Sequence, residues 1–309
     1  MPEVKTTGGG DHRRGEPGID ETDTAVFESH RRHLFAIAYR MLSSVTEAED
    51  AVQESWIRWA RADRSVVREP RAWLTTVVSR IALDRRRSAQ MRRESYVGPW
   101  LPEPLLAVDD DPADHAVLAD SLSLAFLTLL ERLDPIERAA FLLREVFGED
   151  YAAIAATLDR SEAACRQIVH RAKERIDPDR PVRFEPGEDE ERRLVDSFLA
   201  AAFTGDLEAL HEVLCDDVVI WSDGGADRHA ARRPVLGAHR AARFVTGIVG
   251  RAARSGEAVE LDHVRVNGDP GLVAVLDGEL FLVMAFELDP AGIRAVRIVM
   301  NPEKLDHLR

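Results

Sequence analysis

Cysteine is scarce in this sequence: Cys165 and Cys215 are the two among 309 residues. Their separation fits neither the close spacing of metal-ligand cysteines nor the even framework of a small secreted domain. We therefore expect two reduced thiols, and we predict neither a metal site nor a cofactor.

Long apolar runs are missing as well. No stretch approaches the roughly 20 apolar residues that span a bilayer. The N-terminus lacks the basic-then-apolar order of a signal peptide. We therefore expect a cytoplasmic protein that has no membrane partner.

Positive charge is in deficit, because 41 Lys and Arg residues stand against 55 Asp and Glu residues, a net charge of −14. Such a chain repels nucleic acid at long range, so DNA binding must use local basic faces or a larger complex. The 45% of apolar residues is the usual share for chains with buried cores, and the length suits two or three domains.

Changes in composition divide the chain. Residues 1–22 are rich in glycine and charge, which predicts a disordered tail. Proline-rich stretches at 98–115 and 179–191 predict linkers. The first holds Asp109, Asp110 and Asp111, which have no ligand partner at a fixed spacing and indicate a solvated linker instead of a metal site. The remaining segments are two helical domains and an α+β domain, at 23–97, 116–178 and 192–309.

The last segment begins with an amphipathic helix that includes Val195 and Phe198. Strand-like runs follow, separated by turns rich in Asp and Gly, which predicts a curved antiparallel sheet. The runs are 218–221, 259–266, 272–276, 279–288 and 293–300.

The strongest local pattern predicts a helix-turn-helix between Tyr151 and Arg175, with Ser161 as the cap of the second helix. Spacing predicts that four side chains of this helix face inward: Cys165, Val169, Ala172 and Ile176. The outward side can bond DNA bases and phosphates, although a solvated helix in a bundle would look similar. Its polar members are Arg166, Gln167, His170 and Glu174, flanked by Arg171 and Lys173.

An earlier helix has a capping-box spacing at Thr46 and Glu49. Its predicted inward face is Ala48, Val52, Ser55, Trp56 and Trp59. The outward face mixes acidic and apolar groups, which suits a protein partner better than DNA, although a simple solvated face would also fit. Its members are Asp50, Gln53, Glu54, Ile57 and Arg61.

A helix opened by Pro70 carries Trp73 and leads into a run of arginines that no acid interrupts. Aromatic and basic groups together are what melted DNA needs, because bases stack on rings while arginines neutralise phosphates. Trp73 taken alone is more typical of a core residue. The arginines are Arg85, Arg86, Arg87, Arg92 and Arg93.

Together these segments resemble the sigma-70 family, in its extracytoplasmic-function (ECF) branch. Residues 48–56 resemble the polymerase-binding segment of region two, and 70–74 with Asp84 and the following arginines resemble the promoter-melting segment. Residues 151–175 resemble the region-four helix-turn-helix. The resemblance implies a non-enzymatic sigma factor whose partners are the clamp and flap elements of RNA polymerase core and promoter DNA.

The resemblance also implies three sets of contact residues. The residues expected to bind core polymerase are Asp50, Gln53, Glu54 and Ile57. The residues expected to contact the −10 element are Trp73, Arg80, Asp84, Arg85, Arg86 and Arg87. Arg80 stands at a position where many relatives carry asparagine. The residues expected to contact the −35 element are Ser161, Arg166, Gln167, His170, Arg171 and Lys173.

Further motifs resemble the SigJ-type group, in which a SnoaL-like α+β cone follows region four and is thought to act as a built-in regulator. A separate anti-sigma factor is then permitted but not required. Ala226 stands where relatives often have a third glycine. The residues concerned are Trp100, Leu101, Pro102, Glu103, Pro104, Leu105, Asp223, Gly224, Gly225, Asn301, Pro302, Glu303, Lys304 and Leu305.

Three other functions stay open at the level of sequence. SnoaL-like folds also house cyclases and hydrolases, and an acid/base pair would come from His211, Asp216, Asp217, Asp223 or His239. The cone would alternatively bind a small ligand. A repressor that never contacts polymerase is the third, and the acidic face at Asp50 argues against it.

Overall fold

The computed structural model describes residues 21–94, 96–107, 122–176, 184, 186–256 and 258–309. Residues 1–20 of the tail predicted at 1–22, the aspartates at 109–111 and the side chains of Arg92 and Arg93 lie outside this described part, whereas residues 21 and 22 are helical. Within it, no helix is both long enough and apolar enough to cross a membrane.

The first domain is a three-helix unit, and Pro70 opens its last helix as the sequence predicts. Phe27, Tyr39 and Trp59 lie in its core, where each large buried side chain contributes roughly 1.5 to 3 kcal/mol. The helices are α1 (Glu21–Leu42), α2 (Val45–Arg61) and α3 (Pro70–Glu94), with a short 3-10 turn at Arg64–Val66 between the last two.

The predicted capping box at Thr46 and Glu49 is wrong. Helix α2 begins at Val45, and the Oγ of Ser44 accepts the backbone N–H of Glu47 at 3.2 Å. The capping pair is therefore Ser44 and Glu47, two residues earlier than predicted. Ser44 has an extended backbone and its hydroxyl caps the first turn of the helix. The predicted inward face is confirmed, since Ala48, Val52, Ser55 and Trp59 are buried and Trp56 packs against the same core.

The second domain contains the predicted helix-turn-helix. Asp159 adopts left-handed backbone angles (φ 54°) and ends the first helix of the motif. The Oγ of Ser161 then accepts the N–H of Ala164 at 3.2 Å at the start of the recognition helix. The helices are α4 (Leu124–Leu130), α5 (Pro135–Phe141, continued by a π-helical turn at Leu142–Val146), α6 (Tyr151–Leu158) and α7 (Glu162–Ile176).

The inward face of α7 is confirmed, because Cys165, Val169, Ala172 and Ile176 are all buried. They share one hydrophobic core with α1, α2 and α3 of the first domain. The two helical domains are therefore packed together.

The C-terminal domain packs its three longer helices on one face of a seven-stranded sheet. The first helix begins at Glu188, inside the stretch predicted as a linker, because its acidic first turn complements the positive end of the helix dipole. Its elements are α8 (Glu188–Thr204), α9 (Leu207–Val213), β2 (Leu214–Asp223), β3 (Val235–Leu236), α10 (Ala238–Ser255), β4 (Val259–Val266), β5 (Asp269–Leu276), β6 (Glu279–Asp289), β7 (Gly292–Val299) and α11 (Pro302–Leu305).

The sheet is mixed instead of antiparallel. With the linker strand β1 at Leu106–Ala107, the strand order is β1-β4-β5-β6-β7-β2-β3. Strands β2 and β7 pair in parallel, which corrects the prediction. The reason is topological: β2 and β7 are not joined by a hairpin, so nothing forces them to run in opposite directions. The hairpin turns at Asn267-Gly268 and Asp277-Gly278 have positive φ at both residues, as two-residue turns require.

Strand β1 (Leu106–Ala107) comes from the interdomain linker. It pairs with β4 at the sheet edge, with Leu106 opposite Val266. The linker therefore covers an edge that would otherwise expose unpaired backbone groups.

Candidate functional site

The outward face of α2 carries the predicted polymerase-binding residues. Asp50 and Gln53 are exposed, Glu54 is half-buried and Ile57 is 42% exposed. Arg85 of α3 pairs with the carboxylates of Asp50 and Glu54 at 3.2 and 3.4 Å. These exposed ion pairs contribute little to stability, so the face is available to a partner.

The predicted −10 residues on α3 lie in different surroundings. Trp73 is half-buried against Trp59, with ring centroids 5.5 Å apart, and so is partly a core residue. Asp84 and Arg87 are exposed and lie 3.5 Å apart. Arg80 donates from Nε and Nη2 to the carbonyls of Thr157 and Ala156 at 3.1 and 2.6 Å. Arg80 thus caps the C-terminal end of α6 in the second domain.

Arg86 is not at the surface, because only 5% of it is exposed. It forms a bidentate pair with Glu131 of the second domain at 3.1 and 2.6 Å. Arg138 contacts the same carboxylate at 2.6 Å and the carbonyl of Arg40 at 2.8 Å. Burial and the neighbouring Arg86 lower the pKa of Arg138 to about 10. One glutamate carboxylate therefore pairs with two guanidinium groups between the domains.

His33 of α1 also lies at this interface, and its environment predicts a pH effect. Burial, followed by the charges of Arg71, His30 and Arg40, lowers its pKa to about 4. The imidazole approaches the hydroxyl of Thr75 at 3.2 Å and the ring of Phe147 at 5.5 Å.

Because the pKa of His33 in the folded state lies below the ordinary value, the unfolded chain binds this proton more readily. Its stabilising contribution is therefore present above about pH 6.5 and lost as the pH falls toward 4. Between roughly pH 7.5 and pH 5, we expect the wild type to lose about 1 to 2 kcal/mol more unfolding free energy than a His33→Gln variant. Urea unfolding at both pH values measures this, and parallel pH profiles would contradict it.

The outward face of α7 presents the predicted −35 residues. Ser161, Arg166, Gln167, His170 and Arg171 are exposed. Arg166 also pairs with Glu162 at 2.7 Å and lies over the ring of Tyr151. Lys173 is half-buried and pairs with Glu145 at 2.9 Å. The exposed cationic and amide groups match those that bind base edges and phosphates in a major groove.

The interdomain clamp is formed by Tyr96, Leu101, Asp223, Asn301 and Lys304. Lys304 donates to the carboxylate of Asp223 at 2.6 Å and to the carbonyl of Leu101. The carboxylate of Asp223 also accepts the N–H of Leu101 at 2.8 Å, the hydroxyl of Tyr96 at 2.5 Å and the N–H of Gly225 at 3.1 Å. Asp223 is 1% exposed and Lys304 6% exposed, so the pair is shielded from water.

Aromatic rings complete the clamp around the ammonium group. Lys304 Nζ lies 4.0 Å from the ring centroid of Trp100 and 4.9 Å from that of Tyr96. Burial lowers the pKa of Lys304, against the opposing effect of Asp223. Burial and then the hydrogen bond to Asp223 raise the pKa of Tyr96. Tyr96 was not singled out from the sequence, although an aromatic residue next to the proline-rich stretch was a usable signal.

The two predicted loop glycines are sterically required. A Cβ on Gly225 would lie 2.7 Å from the amide carbon of Asn301, and Gly225 has a φ of 64°. A Cβ on Gly224 would collide with the carbonyl of Arg228. Asn301 in turn donates to the hydroxyl of Tyr96 at 2.9 Å. Gly225 therefore lets the loop pack against the C-terminal motif, and Gly224 lets the loop fold back on its own backbone.

Glu103 joins the linker to the first domain. Its carboxylate accepts the backbone N–H of Val45 at 2.7 Å and that of Thr46 at 3.4 Å, which caps α2. Tyr39 donates to the carbonyl of Glu103 at 2.6 Å. Asn267 of the C-terminal domain then donates to Tyr39 Oη at 2.9 Å. Tyr39 and Asn267 were missed from the sequence, because nothing local marks a contact over such a distance in the chain.

The rest of the predicted regulatory set lies in the same region. Leu101 and Leu305 share a small core with Leu124 of the second domain. The carbonyl of Pro104 lies 2.8 Å from Nε2 of His307. Pro102 and Pro104 are buried, Leu105 and Pro302 are half-buried, and Glu303 is exposed.

The residues considered for acid/base chemistry do not form an enclosed site. His211, Asp216, Asp217 and His239 are exposed on the domain surface, and Asp223 is bound within the clamp. Over the described ranges, no group of three or more His, Cys, Asp or Glu residues is placed to hold a metal ion.

Known proteins share this organisation. Residues 26–92 match Sigma-70 region 2, and residues 123–176 match Sigma-70, region 4. The chain is 40% identical over 231 residues to the ECF RNA polymerase sigma factor SigJ of Mycobacterium tuberculosis, over 74% of each chain. It is 34% identical over 291 residues to the probable ECF RNA polymerase sigma factor SigI of the same species, over 93% of this chain and 96% of SigI.

The whole fold has a counterpart among solved structures. The crystal structure of Mycobacterium tuberculosis SigJ superposes with a TM-score of 0.73 at 34% identity, covering 92% of this chain and 98% of that one. The match therefore includes the C-terminal α+β domain as well as both helical domains. The chain belongs to the extracytoplasmic-function sigma factors of the SigJ type, non-enzymatic regulators that recognise promoters and initiate transcription.

Proposed function

We propose that this sigma factor acts in the cytoplasm and docks on the clamp and flap elements of RNA polymerase core. The outward face of α2, with Asp50, Gln53, Glu54 and Ile57, is the proposed clamp contact. An exposed isoleucine among acidic and amide groups supports this assignment, because protein interfaces combine an apolar centre with a polar rim.

Promoter contacts are proposed for both helical domains. On α3 the −10 set is Trp73, Arg80, Asp84, Arg85, Arg86 and Arg87, and on α7 the −35 set is Ser161, Arg166, Gln167, His170, Arg171 and Lys173. Arg80 and Arg86 bond the second domain in the described arrangement, so their proposed DNA contacts require the two domains to separate. The exposed basic and amide side chains of α7 support the assignment of the −35 contacts. With a net charge of −14, the chain alone should bind DNA weakly and need polymerase to present it.

The packing of the two domains implies that the described arrangement is closed. Arg80 bonds the carbonyl of Thr157, which is four residues before Ser161 at the start of the recognition helix. The −35 and −10 positions that name the two elements differ by about 25 base pairs, which is about 85 Å at about 3.4 Å per pair. Residues in direct contact cannot read both elements, so the domains must separate before a promoter is engaged.

The C-terminal domain is proposed to hold the closed arrangement and so to regulate initiation. The single observation that carries this proposal is the buried Asp223–Lys304 pair clamped on the backbone of Leu101. This clamp fixes the linker between the two DNA-binding domains. Opening the clamp would release the linker around Leu101 from the C-terminal domain and allow the domains to separate.

Polymerase binding by α2 is tested with an Asp50→Ala/Glu54→Ala variant of the full chain. We expect its affinity for purified core polymerase to fall about 10- to 30-fold, since interface residues of this kind each contribute roughly 1 kcal/mol. Fluorescence anisotropy of labelled sigma factor measures the affinity.

The matched control is Glu28→Ala/Glu69→Ala, which removes the same charge from exposed positions away from this face. The control should bind core as the wild type does. If both double variants bound core polymerase with equal affinity, this face of α2 would not be the polymerase contact.

A further inference from the structure

Helix α10 of the C-terminal domain carries a basic face that the proposed function does not use. Residues 228–256 contain seven arginines and no acidic residue, within a chain whose net charge is −14. Four of the arginines lie on α10: Arg240, Arg243, Arg251 and Arg254.

The four arginines lie along one side of the helix. At about 100° per residue, their positions and that of Gly247 fall within about 80° of arc. All five residues are exposed. The opposite side of the helix, with Ala241, Ala242 and Val245, is buried against the sheet.

These guanidinium groups have no competing partner among the residues that the structure describes, because none of the four forms an ion pair there. From Arg240 to Arg254 the stripe is about 21 Å long at about 1.5 Å per residue. Gly247 interrupts it without a side chain, so a surface can approach the helix closely at its centre. The result is a rigid row of positive charge.

The chemistry of the row favours a phosphate backbone. Guanidinium groups bind phosphates in a bidentate manner, and Lys304 is the one lysine in residues 192–309, where it lies in the clamp. A membrane-surface helix needs an apolar face to insert, whereas the apolar face of α10 is already buried. A protein interface would need an apolar centre, and this row contains only arginine and glycine.

We propose that the α10 face (Arg240, Arg243, Arg251 and Arg254) binds the phosphate backbone of duplex DNA near the promoter, independently of sequence. This inference rests on the proposed function, because polymerase must first bring the acidic chain to DNA. It gives the C-terminal domain a role after the clamp opens, when α10 stabilises the promoter complex.

The test uses full-length sigma factor with core polymerase on duplex promoter DNA, over a series of KCl concentrations. The variant Arg240→Gln/Arg243→Gln/Arg251→Gln/Arg254→Gln should reduce the slope of log K against log salt by about 2 to 4. At about 0.1 M salt its promoter affinity should fall roughly 10- to 100-fold. The corresponding four lysine substitutions should retain most of the slope, because they retain the charge.

The matched control is Arg192→Gln/Arg193→Gln/Arg294→Gln/Arg309→Gln, which removes the same charge from exposed sites elsewhere in the domain. Equal salt slopes for the two glutamine variants would overturn the proposal. The proposal would also be overturned if the variant bound core polymerase more weakly in the absence of DNA, to an extent that accounts for the whole loss. A variant that kept its promoter affinity and lost only binding to phosphatidylglycerol vesicles would overturn it as well. A wild-type chain that forms no promoter complex would overturn the proposed function as well.

Discussion

Replacing Asp223 with asparagine is expected to lower the unfolding free energy by about 3 to 5 kcal/mol. The substitution leaves the Lys304 ammonium buried without a counter-ion, while the carbonyl of Leu101 and two rings remain as its other contacts. It also weakens the acceptor for Tyr96 and for the N–H of Leu101. Urea unfolding measures the loss, and Trp100 fluorescence reports release of the linker.

Asp306→Asn is the matched control, because Asp306 forms an exposed pair with Arg309 at 3.0 Å. Its loss should cost less than about 1 kcal/mol. Similar unfolding curves for the two variants would show that the clamp is not a stabilising contact. An Asp223→Asn/Lys304→Met double variant should recover part of the loss, since it removes both buried charges.

Replacing Glu131 with glutamine should have an effect of similar size at the interface of the helical domains. The change leaves Arg86 and Arg138 facing each other without a carboxylate, and both are nearly inaccessible to water. We expect a loss of about 3 to 5 kcal/mol and separation of the two domains. Small-angle scattering should show a larger radius of gyration.

The control for this variant is Glu145→Gln, which removes a more exposed partner of Lys173. It should leave both the unfolding free energy and the radius of gyration close to those of the wild type. A compact Glu131→Gln variant would mean that the shared apolar core alone holds the domains together.

Local patterns made much of this protein predictable from its sequence. The inward faces of α2 and α7 follow from helical spacing, and the turn at Asp277-Gly278 follows from residues that tolerate positive φ. The motif residues of the linker, the glycine loop and the C-terminus meet in the structure as one group. Family resemblance, and not spacing, brought those three motifs together in the prediction.

What the sequence did not predict depends on distant parts of the chain. Arg86 was predicted at a DNA-binding surface, but Glu131, 45 positions later, buries it in an ion pair. The links from Asn267 to Tyr39 and from β1 to β4 likewise join separate domains. No local propensity encodes such contacts, because they arise only when the domains pack. The parallel pairing of β2 and β7 lies within one domain, and it was missed because it joins strands that are far apart in the chain.

The most direct test of the account is promoter-dependent run-off transcription with purified core polymerase, comparing the full-length wild type with Asp223→Asn and Asp306→Asn. If the clamp holds the closed state, the wild type initiates, Asp223→Asn yields several-fold more transcript at equal sigma concentration, and Asp306→Asn matches the wild type. If Asp223→Asn binds core normally and yields the same transcript as the wild type, the clamp does not regulate initiation and the central claim is wrong.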